Sequence, residues 1–155
     1  MADCPGIAQM SDERDGADVD AERGRCNRDL RDPDRLLLVA EVREELVGFA
    51  RAGRWEPPLD SPEDTAPAGW YLFGVIVRDR WRRLGIGIEL TRQRLAWIAD
   101  RAEVAYYFAN ARNATSIDLH GKLGFAEVTR DFSFPGASFE GGVGILFRAD
   151  LRLSR

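Results

Sequence analysis

The longest unbroken apolar stretch of the chain runs from Trp70 to Val77, between Gly69 and an Arg-rich polar turn. Its aromatic and β-branched residues predict a strand buried on both faces. Beyond the turn, Leu84, Ile88, Thr91, Leu95, Ile98 and Ala102 recur at alternating spacings of four and three. That is one face of a helix, with Thr91 as its single polar exception. Ahead of this pair, Pro5 to Arg14 and Asp18 to Leu30 read as two helices split by Gly16 and closed by Asp32-Pro33. Their thin apolar content suits them to cover a sheet edge or mouth. Leu36 to Val42 and Leu46 to Ala52 predict an antiparallel hairpin across Arg43-Glu44-Glu45, and the proline-rich Arg54 to Gly69 a long loop. After the central helix come a strand over Val104 to Ala109, a helix from Asn113 to Leu123 stopped by Gly124, and a strand pair, Glu127 to Phe134 with Val143 to Leu151. The order predicts an α/β fold without internal repeats.

With 155 residues, 45% hydrophobic and 31% charged, the chain reads as a single domain over residues 1–155 in the ordinary soluble class. The net charge of −4 carries no obviously basic face, which speaks against a nucleic-acid partner. The apolar run at Gly69 to Val77 is half of what a membrane span needs, and the Asp-rich start is not a signal peptide. A cytoplasmic protein without a membrane partner is expected. Cys4 and Cys26 are too few for a disulfide framework and, with His120, make no metal-site spacing, so they read as structural or incidental thiols.

Glycines opening a helix directly after a buried strand form an anion cradle: without Cβ atoms, a ligand can approach the positive helix end. The spacing excludes two familiar versions. A dinucleotide fingerprint needs a third glycine where Leu90 stands, and a P-loop needs Ser or Thr after Gly121-Lys122, where Leu123 stands. What remains is Arg82-x-x-Gly85-x-Gly87, whose plainer reading is a strand–helix connection with glycines for close packing.

That motif resembles the acyl-CoA pyrophosphate loop of the GNAT superfamily of N-acetyltransferases. Asn113, Ser116, Ile117 and Leu119, followed by His120-Gly-Lys-Leu-Gly-Phe125, resemble the superfamily's second signature, in which Asn opens a helix ending in Tyr-x-x-Leu-Gly-Phe. The resemblance covers about Leu36 to Leu151. It implies a GNAT fold, a mixed central sheet with flanking helices whose middle strands, Trp70 to Val77 and Val104 to Ala109, splay to admit the pantetheine arm. It also implies acetyl-CoA as cosubstrate, no metal, and cofactor contacts at Ile76, Val77, Arg82, Arg83, Leu84, Gly85, Ile86, Gly87, Asn110 and Asn113. A homodimer is common in the family. The chain departs from the pattern twice: the family's opening strand is missing ahead of the first helix, and His120 stands where Tyr is usual.

Acyl transfer to an amine requires a neutral amine, a donor to the tetrahedral oxyanion and a proton for the leaving thiolate. By the resemblance, the backbone N–H of Val75 is the oxyanion donor and His120 the group facing the thiolate. Some relatives carry a Glu on the central strand as base; here that position is Tyr71. Glu56, Asp60, Asp131, Glu140 or an ordered water remain open for that role. Trp55, Tyr71, Phe132 and Glu140 are expected at the acceptor, an amine-bearing small molecule or peptide. A catalytically inactive acyl-CoA-binding sensor or assembly protein is the alternative from another functional class.

Overall fold

A computed structural model describes residues 4–139 and 141–154. Two helices, α1 (Cys4–Asp15) and α2 (Val19–Arg31), lead into the hairpin β1 (Arg35–Val42) and β2 (Glu45–Trp55), followed by β3 (Gly69–Val77). After α3 (Ile86–Ala99) come β4 (Val104–Asn110), α4 (Ala114–Gly121), β5 (Ala126–Thr129) and β6 (Gly144–Asp150). Among the described residues no strand precedes α1. The six strands form one sheet in the order β1-β2-β3-β4-β6-β5. It is mixed: β3 runs parallel to β4, while β1–β2, β4–β6 and β5–β6 are antiparallel.

The chain gathers into two compact units, Met1–Gly53 with Phe73–Arg94, and Arg54–Leu72 with Leu95–Arg155. In the first, alternation along β2 places Phe49 and Arg51 on one face. Phe49 packs with Ile7, Met10, Cys4 and Cys26, against which Leu37, Val39, Leu46 and Ile76 are laid. Arg51 carries the ionic part of the same contact: its Nε donates to Asp29 at 2.7 Å and its Nη2 to Glu22 at 3.1 Å. Asp18 caps α2 by accepting from the Ala21 N–H at 3.0 Å. The hairpin turn is the two residues Arg43 and Glu44, both at positive φ (51° and 68°), the twist that such a tight connection needs.

Cys4 and Cys26 are not thiols. They form a disulfide joining α1 to α2, and the described residues contain no free cysteine. A count of two gave no framework to recognise, and the pairing exists because α2 returns along α1 and brings Cys26, in its second half, beside Cys4 at the start of α1. Closing a loop with a sequence separation of 22 restricts the unfolded chain by about 3 kcal/mol. Reduction, or Cys26→Ser, is therefore expected to lower the thermal midpoint by roughly 6–12 °C. An unchanged midpoint in a calorimetric scan with and without reductant would show that the cross-link contributes nothing.

In the second unit, β4 separates two side-chain sets. Ala105, Tyr107 and Ala109 are buried, whereas Tyr106 and Phe108, on the opposite face, are half-buried. Three expectations shift. β3 is fully buried only at Tyr71 and Leu72, and Gly74 is exposed. Leu84 precedes the helix and is 65% exposed; the buried positions of α3 are Leu90, Thr91, Arg94 and Ile98, of which Thr91 and Ile98 belong to the predicted face and Arg94 is taken in because it finds partners inside. β5 stops at Thr129, where the register slips, and Ser133 instead bridges Thr65. Among the described residues no helix is long and apolar enough to cross a membrane, and no cluster of His, Cys, Asp and Glu suits a metal ion.

Candidate active site

Between β3 and α3 the chain makes a short 3-10 turn over Asp79–Trp81 and then passes through Arg83 (φ 61°) and Gly85 (φ 86°). Gly85 takes that left-handed angle without strain, and the place of its missing Cβ is open space. The Glu89 N–H to Gly85 carbonyl bond, 3.1 Å, belongs to the first turn of α3. The N–H groups of Ile86, Gly87 and Ile88 therefore form the positive end of the helix. The loop thus ends in a helix start with glycines at its opening, the geometry that the cradle reading requires.

Beside it lies a cleft of about 430 Å³ bounded by Ile76, Val77, Arg78 and Arg82 and, from α1, by Met10 and Glu13. Arg82 is folded onto its own loop: Nε donates to the Val77 carbonyl at 3.2 Å, and the guanidinium pairs with the exposed Asp79 at 3.1 Å. A surface pair of this kind is worth little, so a phosphate can replace Asp79 at small cost. Arg78 pairs with Glu13 at 2.7 Å and donates to the Leu46 carbonyl. Leu84 faces a separate depression with Arg43, Arg80 and Trp81, where Arg80 pairs with Glu45.

Asn110 and Asn113 have local work. The Asn110 side chain accepts from the Arg112 N–H at 3.0 Å, and Asn113 caps α4 by accepting from the Ser116 N–H at 3.2 Å. An Asn opening this helix is thus explained by capping.

Three of the four residues expected at the acceptor meet in one aromatic cluster of the second unit. Trp55 stacks on Phe134 at 4.1 Å and meets Tyr71 edge-on at 5.8 Å; Phe108 lies 4.6 Å from Phe134 and 6.1 Å from Phe132. Glu140 lies outside the described residues. Tyr71 cannot replace the missing carboxylate as a base. Burial, aided by neighbouring Tyr106, pushes its phenol well above the ordinary value, and its hydroxyl donates to the Pro67 carbonyl at 2.6 Å. Phe134, with Trp55 and Phe132, is also a residue that the sequence offers for the acceptor wall; Phe108 was missed, although the alternation of β4 carried the signal for it.

His120 sits across β4 from these rings. It is 3% exposed and stacks on Tyr107 with 3.6 Å between centroids and 3° between planes. Its Nδ1 is 2.7 Å from the Ser116 carbonyl, which only accepts, so Nδ1 carries the hydrogen. A neutral ring in that tautomer presents a lone pair at Nε2, and only the imidazolium has a second N–H to give.

The sequence matches the family model described as Acetyltransferase (GNAT) family over residues 6–125. No curated protein matches it. Among solved structures, ribosomal-protein-alanine N-acetyltransferase from Brucella melitensis is similar at TM-score 0.72 with 22% identity, covering 96% of this chain and 94% of that one. The ribosomal-protein-S18-alanine N-acetyltransferase from Escherichia coli is similar at 0.68 with 20% identity, covering 96% and 88%. An aminoglycoside 6'-N-acetyltransferase complexed with coenzyme A is similar at 0.67 with 17% identity, covering 96% and 90%.

Proposed function

Because the chain belongs to the GNAT family of acetyltransferases, we propose that it moves the acetyl group of acetyl-CoA directly to an amine held in a ternary complex. The observation that carries this reading is the glycine-containing start of α3 beside a cleft lined by Ile76, Val77 and Arg82. Pyrophosphate would accept from the N–H groups of Ile86, Gly87 and Ile88, with Arg82 as the charge partner. The neutral amine attacks the thioester carbon, a C–N bond forms, and the oxyanion is received by the Val75 N–H. The C–S bond then breaks and the thiolate leaves with a proton. The base that takes the amine's proton is not Tyr71, whose phenol stays protonated.

His120 is the chain's candidate for returning that proton, and it can do so only as the imidazolium. His120→Tyr is expected to keep or improve kcat, while His120→Phe lowers kcat by about 10–100-fold with a smaller change in KM. Equal activity in all three proteins across the pH range would assign the ring to packing against Tyr107.

For the acceptor, the half-buried rings of Trp55, Phe108, Phe132 and Phe134 favour an amine on an apolar or aromatic body. Steady-state assays of CoA release with a panel of primary amines test the route. The expected result is intersecting double-reciprocal lines and no acetyl group on the protein by intact mass, since Cys4 and Cys26 are tied to each other and neither is a free nucleophile. Parallel lines with a stable acetyl adduct would overturn direct transfer. The commitment of the His120 Nδ1–H to Ser116 favours a second reading, an acyl-CoA binder without turnover. CoA binding with no thiol release from any amine would select it.

A further inference from the structure

We propose that Arg94, on the inner face of α3, is a positioning residue for acyl transfer. It fixes the peptide between Phe73 and Gly74 and so aims the Val75 N–H; this rests on the reading of Val75 as oxyanion donor given above. Arg94 is completely buried. Its Nη1 donates to the Phe73 carbonyl at 2.9 Å and to the Arg51 carbonyl at 3.1 Å, and its Nη2 donates to the Thr91 hydroxyl at 2.7 Å. That hydroxyl donates in turn to the Gly87 carbonyl at 2.8 Å. One guanidinium therefore joins two neighbouring strands, β2 and β3, to the first turn of the helix that forms the phosphate cradle.

Burying a guanidinium is costly, and an apolar side chain would fill the same space without that cost. What the arginine supplies is direction. In a regular strand the carbonyls lie in the sheet and bond to neighbouring strands. The Phe73 carbonyl instead accepts from a side chain that comes from α3. Phe73 stands two residues past Tyr71, the last residue in the registered pairing of β3 with β4. The next residue is Gly74, exposed and with open space where a Cβ would stand, so nothing in its own side chain limits the following peptide. The plane before Gly74 is held by Arg94; the plane after it carries the Val75 N–H. Without the arginine both can roll. The Thr91–Gly87 relay gives the fork a fixed base at the helix start, so the Phe73 peptide is held against the helix and not only against the neighbouring strand.

The experiment compares Arg94→Met, Arg94→Lys and Thr91→Val with the wild-type chain. It measures kcat and KM for acetyl-CoA, CoA affinity by calorimetry, and the amide shifts and hydrogen exchange of Gly74 and Val75 by NMR. A misplaced oxyanion donor is expected to lower kcat by about 10–100-fold in Arg94→Met, with CoA affinity changed less than about threefold. The Val75 amide should shift and exchange faster while the β1–β2 hairpin is unchanged. Arg94→Lys, which keeps the charge and donors in a different geometry, should recover part of kcat. A folded Arg94→Met protein with lower thermal stability but unaltered kcat and an unaltered Val75 amide would reduce Arg94 to packing and overturn the proposal. Should Arg94→Met not fold, Arg94→Lys and Thr91→Val decide in the same way, since both disturb the fork. If the wild-type chain binds CoA but turns over no amine, the transferase reading fails, and the Val75 amide still decides the role of Arg94.

Discussion

Gly87→Val is expected to weaken CoA binding by more than about 100-fold while leaving the fold intact. The second residue of α3 lies where phosphate oxygens would approach the helix end, and a valine side chain would stand between them and the N–H groups. A hydrogen bond to a charged group contributes about 1.5–3 kcal/mol. Losing two of them removes at least about 3 kcal/mol, which is two orders of magnitude in affinity. Valine is tolerated in a first helical turn, so the thermal midpoint should hardly move. Calorimetric titration with CoA checks this, and an undiminished affinity in a folded variant would show that the loop is a packing connection after all.

The largest expected effect on stability is at Asp29→Ala. Asp29 and Arg51 have side chains only 6% and 5% exposed, and they meet at 2.7 Å. Removing the carboxylate leaves a buried guanidinium with Glu22 as its remaining carboxylate, 3.1 Å away. Breaking a buried pair by deleting one partner costs about 3–5 kcal/mol. For a chain of this size that is a fall of roughly 10 °C in thermal midpoint. The double variant Asp29→Ala/Arg51→Met should regain much of the loss, because no charge is then stranded. Chemical denaturation of both variants measures it. A double variant as unstable as the single one would mean that the helices need the pair itself, not merely freedom from an unpaired charge.

Where side-chain period and backbone punctuation agree, the elements could be read directly from the residues. Asp18 and Asn113 both cap the helices they were expected to open, and Gly124 (φ 98°) stops the one it was expected to end. The hairpin, the central strand and the cradle glycines all stand within a residue or three of their predicted places. What failed to show was whatever depends on partners distant in sequence. Arg94 drew no notice because hydrophobic periodicity counts only apolar positions; its site is defined by carbonyls 43 and 21 residues earlier in the chain. The Cys4–Cys26 bond was hidden for the same reason, since the return of α2 along α1 is a tertiary fact. His120 was placed on the correct helix, but the direction of its N–H depends on the Ser116 carbonyl one turn before it.

The attachment of α1 also changes what a ligand finds on arrival. The helix is bound covalently near its beginning, at Cys4, and by the Glu13–Arg78 ion pair near its end, with Ile7 and Met10 buried between. A freely moving helix would have to be immobilised by the incoming molecule, which would lose that ordering entropy from its own affinity. Here α1 is tied down at both ends before anything enters, so a ligand in the cleft would meet Met10 and Glu13 on a helix that needs no further ordering.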